Sequence, residues 1–254
     1  MLHEAIRSRL KSIRFVATDL DGTLTVDRQS HLIPPETIAA LSLLREHDVK
    51  VVVVTASGFP IALGVSRYLG VYAVIAENGC VRARVEPQAS SDILVECRES
   101  FRWLAREVAR ACSEYLRESW QNEYRRCDFA LVPKGPVDQR SLVEKVKEIV
   151  SSLGLEDRVK VSTSGYALHL TPVECSKRGS LLKLLEEEGA SPREVLGIGD
   201  SLLDVEFVSS CGVSVAVANA DEELRKAVHI VTKAPSGYGF LEIAKAIVEA
   251  RRAR

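Results

Sequence analysis

No two of the six cysteines stand in a C-x-x-C pair, which removes zinc-ribbon and thioredoxin-like readings. Cys80, Cys97, Cys112, Cys127, Cys175 and Cys211 are scattered, and each reads as a small buried apolar residue. A disulfide stays open, because a single methionine with abundant Arg and Glu leans toward hyperthermophile composition. Neither charge is in excess: 34 Lys and Arg stand against 35 Asp and Glu. That balance gives no electrostatic footing for nucleic acid or an anionic membrane surface. No apolar run approaches the roughly 20 residues of a membrane span. The segment Met1 to Lys11 is charged and lacks a signal peptide's apolar centre and cleavage site, so a cytoplasmic location is expected. Repeats and low-complexity tracts are missing too. The remainder, 46% hydrophobic and 27% charged over 254 residues, suits a globular protein of one large or two modest domains. Monomer and homodimer both stay open.

What is present is a repeating order of strand and helix. Residues 13–19 read as a buried strand, Pro34-Pro35-Glu36 opens a helix that runs to about Asp48, and 49–55 is a continuously apolar strand. A helix over 59–69 and a strand over 71–76 follow. This alternation predicts an α/β fold, a doubly wound, Rossmann-like parallel sheet. The texture then changes. Segments 82–86 and 93–97 alternate like an antiparallel pair, 100–119 reads as a helix, 120–132 as strand-like, 141–153 as an amphipathic helix, and 159–161 and 167–170 as strands. The parallel pattern resumes with a helix from Lys177, strands at 195–198, 213–217 and 228–231, a short helix over 202–209, helices over 221–227 and 239–252. Residues 1–81 and 164–254 are therefore expected to form a discontinuous core, and 82–163 an inserted α+β cap.

Ligands of such sheets bind beyond the carboxyl ends of the strands. Asp19 and Asp21 end the first strand and point to one side, with Gly22 permitting the backbone to turn away. Thr55 ends the second strand and Asp200 ends the strand near 195. Asp204, four residues on, shares a helix face with Asp200. Four carboxylates at one rim repel unless a cation or proton intervenes. With no His or Cys among them, a hard cation such as Mg²⁺ suits the set better than zinc. Lys177 heads a helix, where a cation opposes the dipole; neutralising a phosphate is one reason to place it there, and a solvated side chain is the plain alternative.

In that order, Asp19-Leu-Asp-Gly-Thr-Leu24, the strand-end Thr55, the lone Lys177 and Gly197-Ile-Gly-Asp-Ser-Leu-Leu-Asp204 resemble the four motifs of the haloacid dehalogenase superfamily of phosphohydrolases. The insert's position resembles the class with a C2-type cap. Within it, Ala76-Glu-Asn-Gly79 and Ser164-Gly-Tyr-Ala-Leu-His-Leu170 are similar to archaeal phosphoglycolate phosphatases, with sucrose-phosphate phosphatases next. The resemblance implies Asp19 as nucleophile, Asp21 as acid and base, and Thr55 with the backbone N–H of Ala56 holding the phosphoryl group. It implies Lys177 as the neutralising cation. Mg²⁺ would be held by Asp19, the Asp21 carbonyl, Asp200 and, directly or through water, Asp204. The substrate would be a small phosphorylated metabolite, phosphoglycolate first, with no nucleic acid or membrane partner. Two positions depart from the pattern. Leu203 stands where asparagine is frequent, and Ala56 where glycine commonly follows the threonine. Asn219 resembles a frequent site-proximal position, though a loop-capping role explains it equally well.

Phosphoglycolate needs a cation for its carboxylate, and Arg125 and Arg126 in the cap are the candidates; either one alone reads sooner as a solvated surface arginine. Three other functions use the same residues: a sugar-phosphate phosphatase, a phosphomutase, and a receiver-type phospho-acceptor. Receivers are much shorter and carry no cap. A nucleotide-binding reading of Gly197-x-Gly199 lacks a third glycine and puts Asp200 where a pyrophosphate would sit.

Overall fold

The computed structural model describes residues 4–85 and 93–253; Met1–His3, and Glu86 at the end of one expected strand, lie outside them. The chain runs α1 (Glu4–Lys11), β1 (Phe15–Thr18), α2 (Pro35–Glu46), β2 (Lys50–Val54), α3 (Phe59–Tyr68), β3 (Ala73–Ala76), β4 (Val81–Arg84) and β5 (Leu94–Val95). It continues through α4 (Arg102–Ala111), β6 (Leu116–Glu118), β7 (Phe129–Pro133), α5 (Gln139–Ser152), β8 (Val159–Thr163) and β9 (Leu168–Pro172). The last part is α6 (Lys177–Glu187), β10 (Val195–Gly199), α7 (Val205–Ser209), β11 (Val213–Ala216), α8 (Glu222–Ala227), β12 (Ile230–Val231) and α9 (Ser236–Arg252).

Eight strands form one sheet in the order β12-β11-β10-β1-β2-β3-β4-β5. The six from β12 to β3 are parallel, and β4 and β5 add antiparallel at one edge. All four residues of β1 are buried, as a central strand covered on both faces requires. The ladder sets Thr18 beside both Ile198 and Val53. The strand order reverses between β1 and β10, which opens the crevice at their carboxyl ends. Helices α1 and α2 pack against α9, and α6 against α7.

A second sheet, ordered β6-β7-β9-β8, is antiparallel throughout and carries α4 and α5 over its own apolar cluster. Its membership moves both expected seams. Strands β4 and β5, read as cap, belong to the large sheet, whereas β9, read as core, lies between β7 and β8. An antiparallel edge pair and a cap hairpin have the same alternation, so only pairing partners separate them. Two further expectations are corrected. The helix read over 100–119 ends at Ala111. Leu116 continues the four-residue spacing from Cys112 but pairs with Pro133 instead, so cross-strand pairing overrides the periodicity. The strand-like stretch 120–132 begins as a 3₁₀ turn over Trp120–Glu123, capped by Ser119, and becomes strand only at Phe129. Cys97 and Cys127 form a disulfide, so two of the six cysteines are not simple apolar fill.

Gly199 shows how tightly the crevice floor is packed: a Cβ there would lie 2.7 Å from the Cβ of Asp204. Gly199→Ala is expected to destabilise the fold by about 1–3 kcal/mol. The denaturant midpoint should fall at constant slope; an unchanged midpoint would show that the floor relaxes freely.

Candidate active site

The lysine that begins α6 is the centre of the site. Ser176 caps the helix by accepting from Gly179 N at 2.9 Å, which places Lys177 on the first turn, beneath the ends of β1 and β10. Its Nζ donates to Asp19 Oδ1 at 2.9 Å and to Asp204 Oδ1 at 2.7 Å. All three side chains are buried. Burial alone would lower the lysine's pKa, but Asp19 and then Asp204 outweigh it and hold the ammonium above its usual range. Burial, with repulsion from Asp204, pushes the Asp19 carboxyl well up, against the pull of Lys177.

Asp204 has little left to offer. Its Oδ2 accepts from Asp200 N, Ser201 N and Ser201 Oγ at 3.1, 2.9 and 3.0 Å. These bonds lock a 3₁₀ turn over Leu202–Asp204 in place of the expected helix start. Asp204 therefore orients Lys177 and the β10 exit. Asp200 Oδ1 accepts from Thr23 Oγ1 at 2.9 Å, and its Oδ2 accepts from Arg28 Nε. Burial and Asp204 push the Asp200 carboxyl up to about 6, with Arg28 pulling the other way. Asp19, Asp200 and Asp204 each offer a carboxylate oxygen within 4.8 Å of one another. The all-oxygen, buried donor set fits a hard divalent cation.

Asp21 stands at the cleft's edge, where Ser57 Oγ donates to Oδ2 at 2.9 Å and His31 Nδ1 lies 3.0 Å from Oδ1. Thr55 is buried at the end of β2 and accepts from Ser57 N at 3.0 Å. Ala56 lines the cleft, and its carbonyl accepts from Arg125 Nη2 at 2.9 Å. Leu203 also lines the cleft, putting an apolar wall where the family pattern has a polar group. Asn219 lies behind this loop: it accepts from Ser236 N at 2.8 Å and donates to Gly22 O at 3.4 Å, bracing the turn after β1 against α9.

The two cap arginines part company. Arg125 is buried and lines the cleft. Its Nη1 is bound to Asp128 Oδ2 at 2.6 Å, while its Nε has no hydrogen-bond partner among the described residues. Arg126 is exposed and lies over the Phe59 ring, 5.8 Å from its centroid, so it is not at the cleft among the described residues. Both arginines lie in the irregular stretch between the 3₁₀ turn at Trp120–Glu123 and β7, where no backbone period assigns a side-chain direction.

Several site residues were not legible in the sequence. Arg28 and His31 sit in a loop that reads only as polar, and nothing in its spacing singles them out. Gln121 enters from the cap, accepting from Gly58 N at 2.9 Å. Glu77 carried a signal as part of Glu77-Asn-Gly79. It is fully buried, and its carboxylate accepts from the backbone N–H of Arg126, Cys127 and Asp128 at 3.0, 2.9 and 3.4 Å. Asp128, also buried, is held by Arg125, by His169 Nδ1 at 2.8 Å and by Thr171 Oγ1 at 2.5 Å. Burial would raise its pKa, but His169 and Arg125 bring it down to about 2. Together these groups pin the cap over a cleft of about 80 Å³.

The haloacid dehalogenase-like hydrolase family model matches residues 16–98 and 136–243. The chain belongs to that family: it is an enzyme, a phosphatase with a Rossmann-like core and a cap. Among similar proteins, the phosphoglycolate phosphatase of Staphylothermus marinus is 37% identical over 93% of this chain and 98% of its own. Phosphoglycolate phosphatase 1 of Saccharolobus solfataricus is 34% identical over 91% and 93%. A Thermoplasma acidophilum structure shares the fold at a TM-score of 0.77 and 21% identity, covering 93% of this chain and 98% of its own. The Synechocystis sucrose-phosphatase structure does so at 0.71 and 16%, covering 94% and 98%. Among the described residues no helix is long and apolar enough to cross a membrane.

Because Asp200 titrates at about 6, a proton competes there with a divalent cation. Calorimetric titration with Mn²⁺ should show the affinity falling as pH drops through about 6. Constant affinity across that range would remove Asp200 from the metal's ligands.

Proposed function

We propose that the protein is a Mg²⁺-dependent phosphomonoester hydrolase that works through an aspartyl-phosphate and converts 2-phosphoglycolate and water to glycolate and phosphate. The observation that carries the reaction is the pairing of Asp19 with Lys177 at 2.9 Å at the carboxyl ends of β1 and β10. Phosphoryl transfer needs little covalent machinery, and positioning with charge neutralisation dominates. Lys177 holds Asp19 by Oδ1; Oδ2 makes no hydrogen bond among the described residues and is the oxygen available to attack phosphorus. As the Asp19–phosphorus bond forms, the bond to the glycolate oxygen breaks, and Asp21 supplies the proton that oxygen needs. Ser57 and His31 fix the carboxyl of Asp21 for that transfer. Asp21 then takes a proton from the water that attacks phosphorus, releasing phosphate and restoring Asp19. Thr55 and the Ala56 N–H hold the phosphoryl oxygens. A divalent cation at Asp19 and Asp200, with the Asp21 carbonyl and Asp204 in support, supplies further charge neutralisation at the phosphoryl group.

Relatives at 30% identity or more are named phosphoglycolate phosphatases, which supports phosphoglycolate as the substrate. The buried, unpartnered Nε of Arg125 supports that residue over Arg126 for reading the carboxylate. Asp19→Asn should lose several orders of magnitude in phosphate release while remaining folded; substantial Mg²⁺-dependent turnover would overturn the nucleophile. In a screen of small phosphorylated acids, sugars and nucleotides, phosphoglycolate should give the highest kcat/KM. A sugar phosphate preferred over it would replace it as the substrate. Arg125→Ala should raise KM for phosphoglycolate more than for p-nitrophenyl phosphate, and Arg126→Ala should leave the ratio unchanged. Equal effects of Arg125→Ala on both substrates would count against carboxylate reading by the cap.

A further inference from the structure

Arg28 occupies a place that the phosphatase chemistry does not ask for. Its guanidinium reaches into the carboxylate cluster, where Nε donates to Asp200 Oδ2 and Nη2 to the Asp200 carbonyl at 2.5 Å. The same Nη2 donates to Asp221 Oδ1 at 2.9 Å. The loop that presents it is built for the purpose. Gly22 N donates to Thr25 Oγ1 at 2.8 Å, and Thr25 Oγ1 donates to the Asp27 carbonyl at 2.6 Å. Asp27 Oδ1 then accepts from Gln29 N and Ser30 N at 2.6 and 2.7 Å, closing the turn around Arg28. Gly22, at φ 92°, passes so close that a Cβ would lie 2.7 Å from Arg28 Cγ and 2.4 Å from Asp200 Oδ2.

With Thr23 on one oxygen and Arg28 on the other, both oxygens of Asp200 already have a donor. A cation that approaches Asp200 at Oδ2 competes there with the positively charged guanidinium. We propose that Arg28 is the resident counter-ion of this site: it neutralises Asp200 in the metal-free protein and is exchanged for the divalent cation on loading. The inference rests on the metal-dependent reading above.

Charge supports the exchange. Among the described residues, the cations paired with Asp19, Asp200 and Asp204 are Lys177 and Arg28, which leaves one negative charge in a buried cluster. Replacing the guanidinium by a divalent ion brings the cluster to neutrality. The guanidinium grips Asp200 by two donors, Nε on the carboxylate and Nη2 on the backbone carbonyl, and it remains charged at any working pH. Arg28 also has somewhere to go. Its side chain is 27% exposed, whereas that of Asp200 is fully buried. Nη1 makes no contact with Asp200 and lies 3.5 Å from the Cβ position of Gly165, a residue without a side chain at the tip of the β8–β9 turn. The released guanidinium would stand between the core and the cap hairpin, on the cleft side.

The test is Mn²⁺ titration of the substrate-free protein, read by calorimetry and by the free-ion signal in electron paramagnetic resonance. If Arg28 holds the site shut for most of the time, Arg28→Ala should bind Mn²⁺ about tenfold more tightly or better. Its metal-free form should melt lower, and the gain in Tm on adding Mn²⁺ should grow. Removing any nearby positive charge has some of that effect, so the deciding variant is Asp221→Asn. It removes a negative charge, which by Coulomb attraction alone weakens cation binding, but it also takes away the second anchor of Arg28. Displacement predicts tighter Mn²⁺ binding in Asp221→Asn, by roughly two- to fivefold. Weaker or unchanged binding overturns the inference. Arg28→Lys, which keeps the charge without the two-pronged fork, should also tighten binding, by less than Arg28→Ala, and stands in if the alanine variant does not fold. Asp200→Asn separates this proposal from the reading beneath it. If the parent binds Mn²⁺ and Asp200→Asn does not, the metal site stands whatever Arg28 does. If neither binds, the metal site itself fails.

Discussion

The ammonium of Lys177, shared between Asp19 and Asp204 in a buried cluster, is the constraint on which the rest of the structure depends. Removing one partner from a buried ion pair costs about 3–5 kcal/mol, because the other is left uncompensated. The chain therefore has to deliver three residues from three distant segments to one point. It does so with the sheet. Placing β1 beside β10 brings Asp19 next to the Asp200–Asp204 turn. The capped first turn of α6 then carries Lys177 beneath both. Gly79 makes that approach possible, since a Cβ on it would lie 2.1 Å from the Ser176 carbonyl.

The cap is joined to this arrangement by a second buried carboxylate. Glu77, with φ at 52°, holds a left-handed conformation unusual outside glycine. The strained position turns its carboxylate onto three backbone N–H groups of the cap segment 126–128. Of these, the N–H groups of Cys127 and Asp128 are buried, so the geometry is over-determined by what it satisfies. Asp128 completes the joint from the cap side, kept ionised by His169 and Arg125. The second guanidinium arm of Arg125 reaches the Ala56 carbonyl. The loop that presents Thr55 is thus tied to the cap.

How much of this was readable in advance differed by kind of feature. Asp19, Thr55 and Asp200 each follow an apolar run, and a parallel sheet puts the ends of such runs at one rim, where Lys177 arrives from the first turn of α6. Their division of labour was less readable. Asp204 was expected on a helix face beside Asp200, yet it folds back as a cap onto Ser201 and spends its oxygens on Lys177 and three other donors. Arg125 and Arg126 looked equivalent, and the choice between them follows from which one meets Asp128. Asn219 proved to brace a loop, one of the two roles its surroundings allowed. Arg28 and Asp128 carry no signal in the sequence because their partners lie 172 and 41–43 residues away, and the motif that contains Glu77 does not encode its contacts 49–51 residues on.

By itself, the sequence determined the parallel core, the presence of a cap and the cluster of carboxylates, because hydrophobic period and strand-end position are local properties. The tertiary structure alone decided which strands belong to which sheet, since β4 with β5 and β8 with β9 show the same alternation and differ only in their neighbours. It alone decided that Cys97 pairs with Cys127, that Glu77 holds the cap, and that Arg28 lies on Asp200. Each of these depends on the distance between groups far apart in the chain, which the chain acquires only when the sheet has closed its crevice.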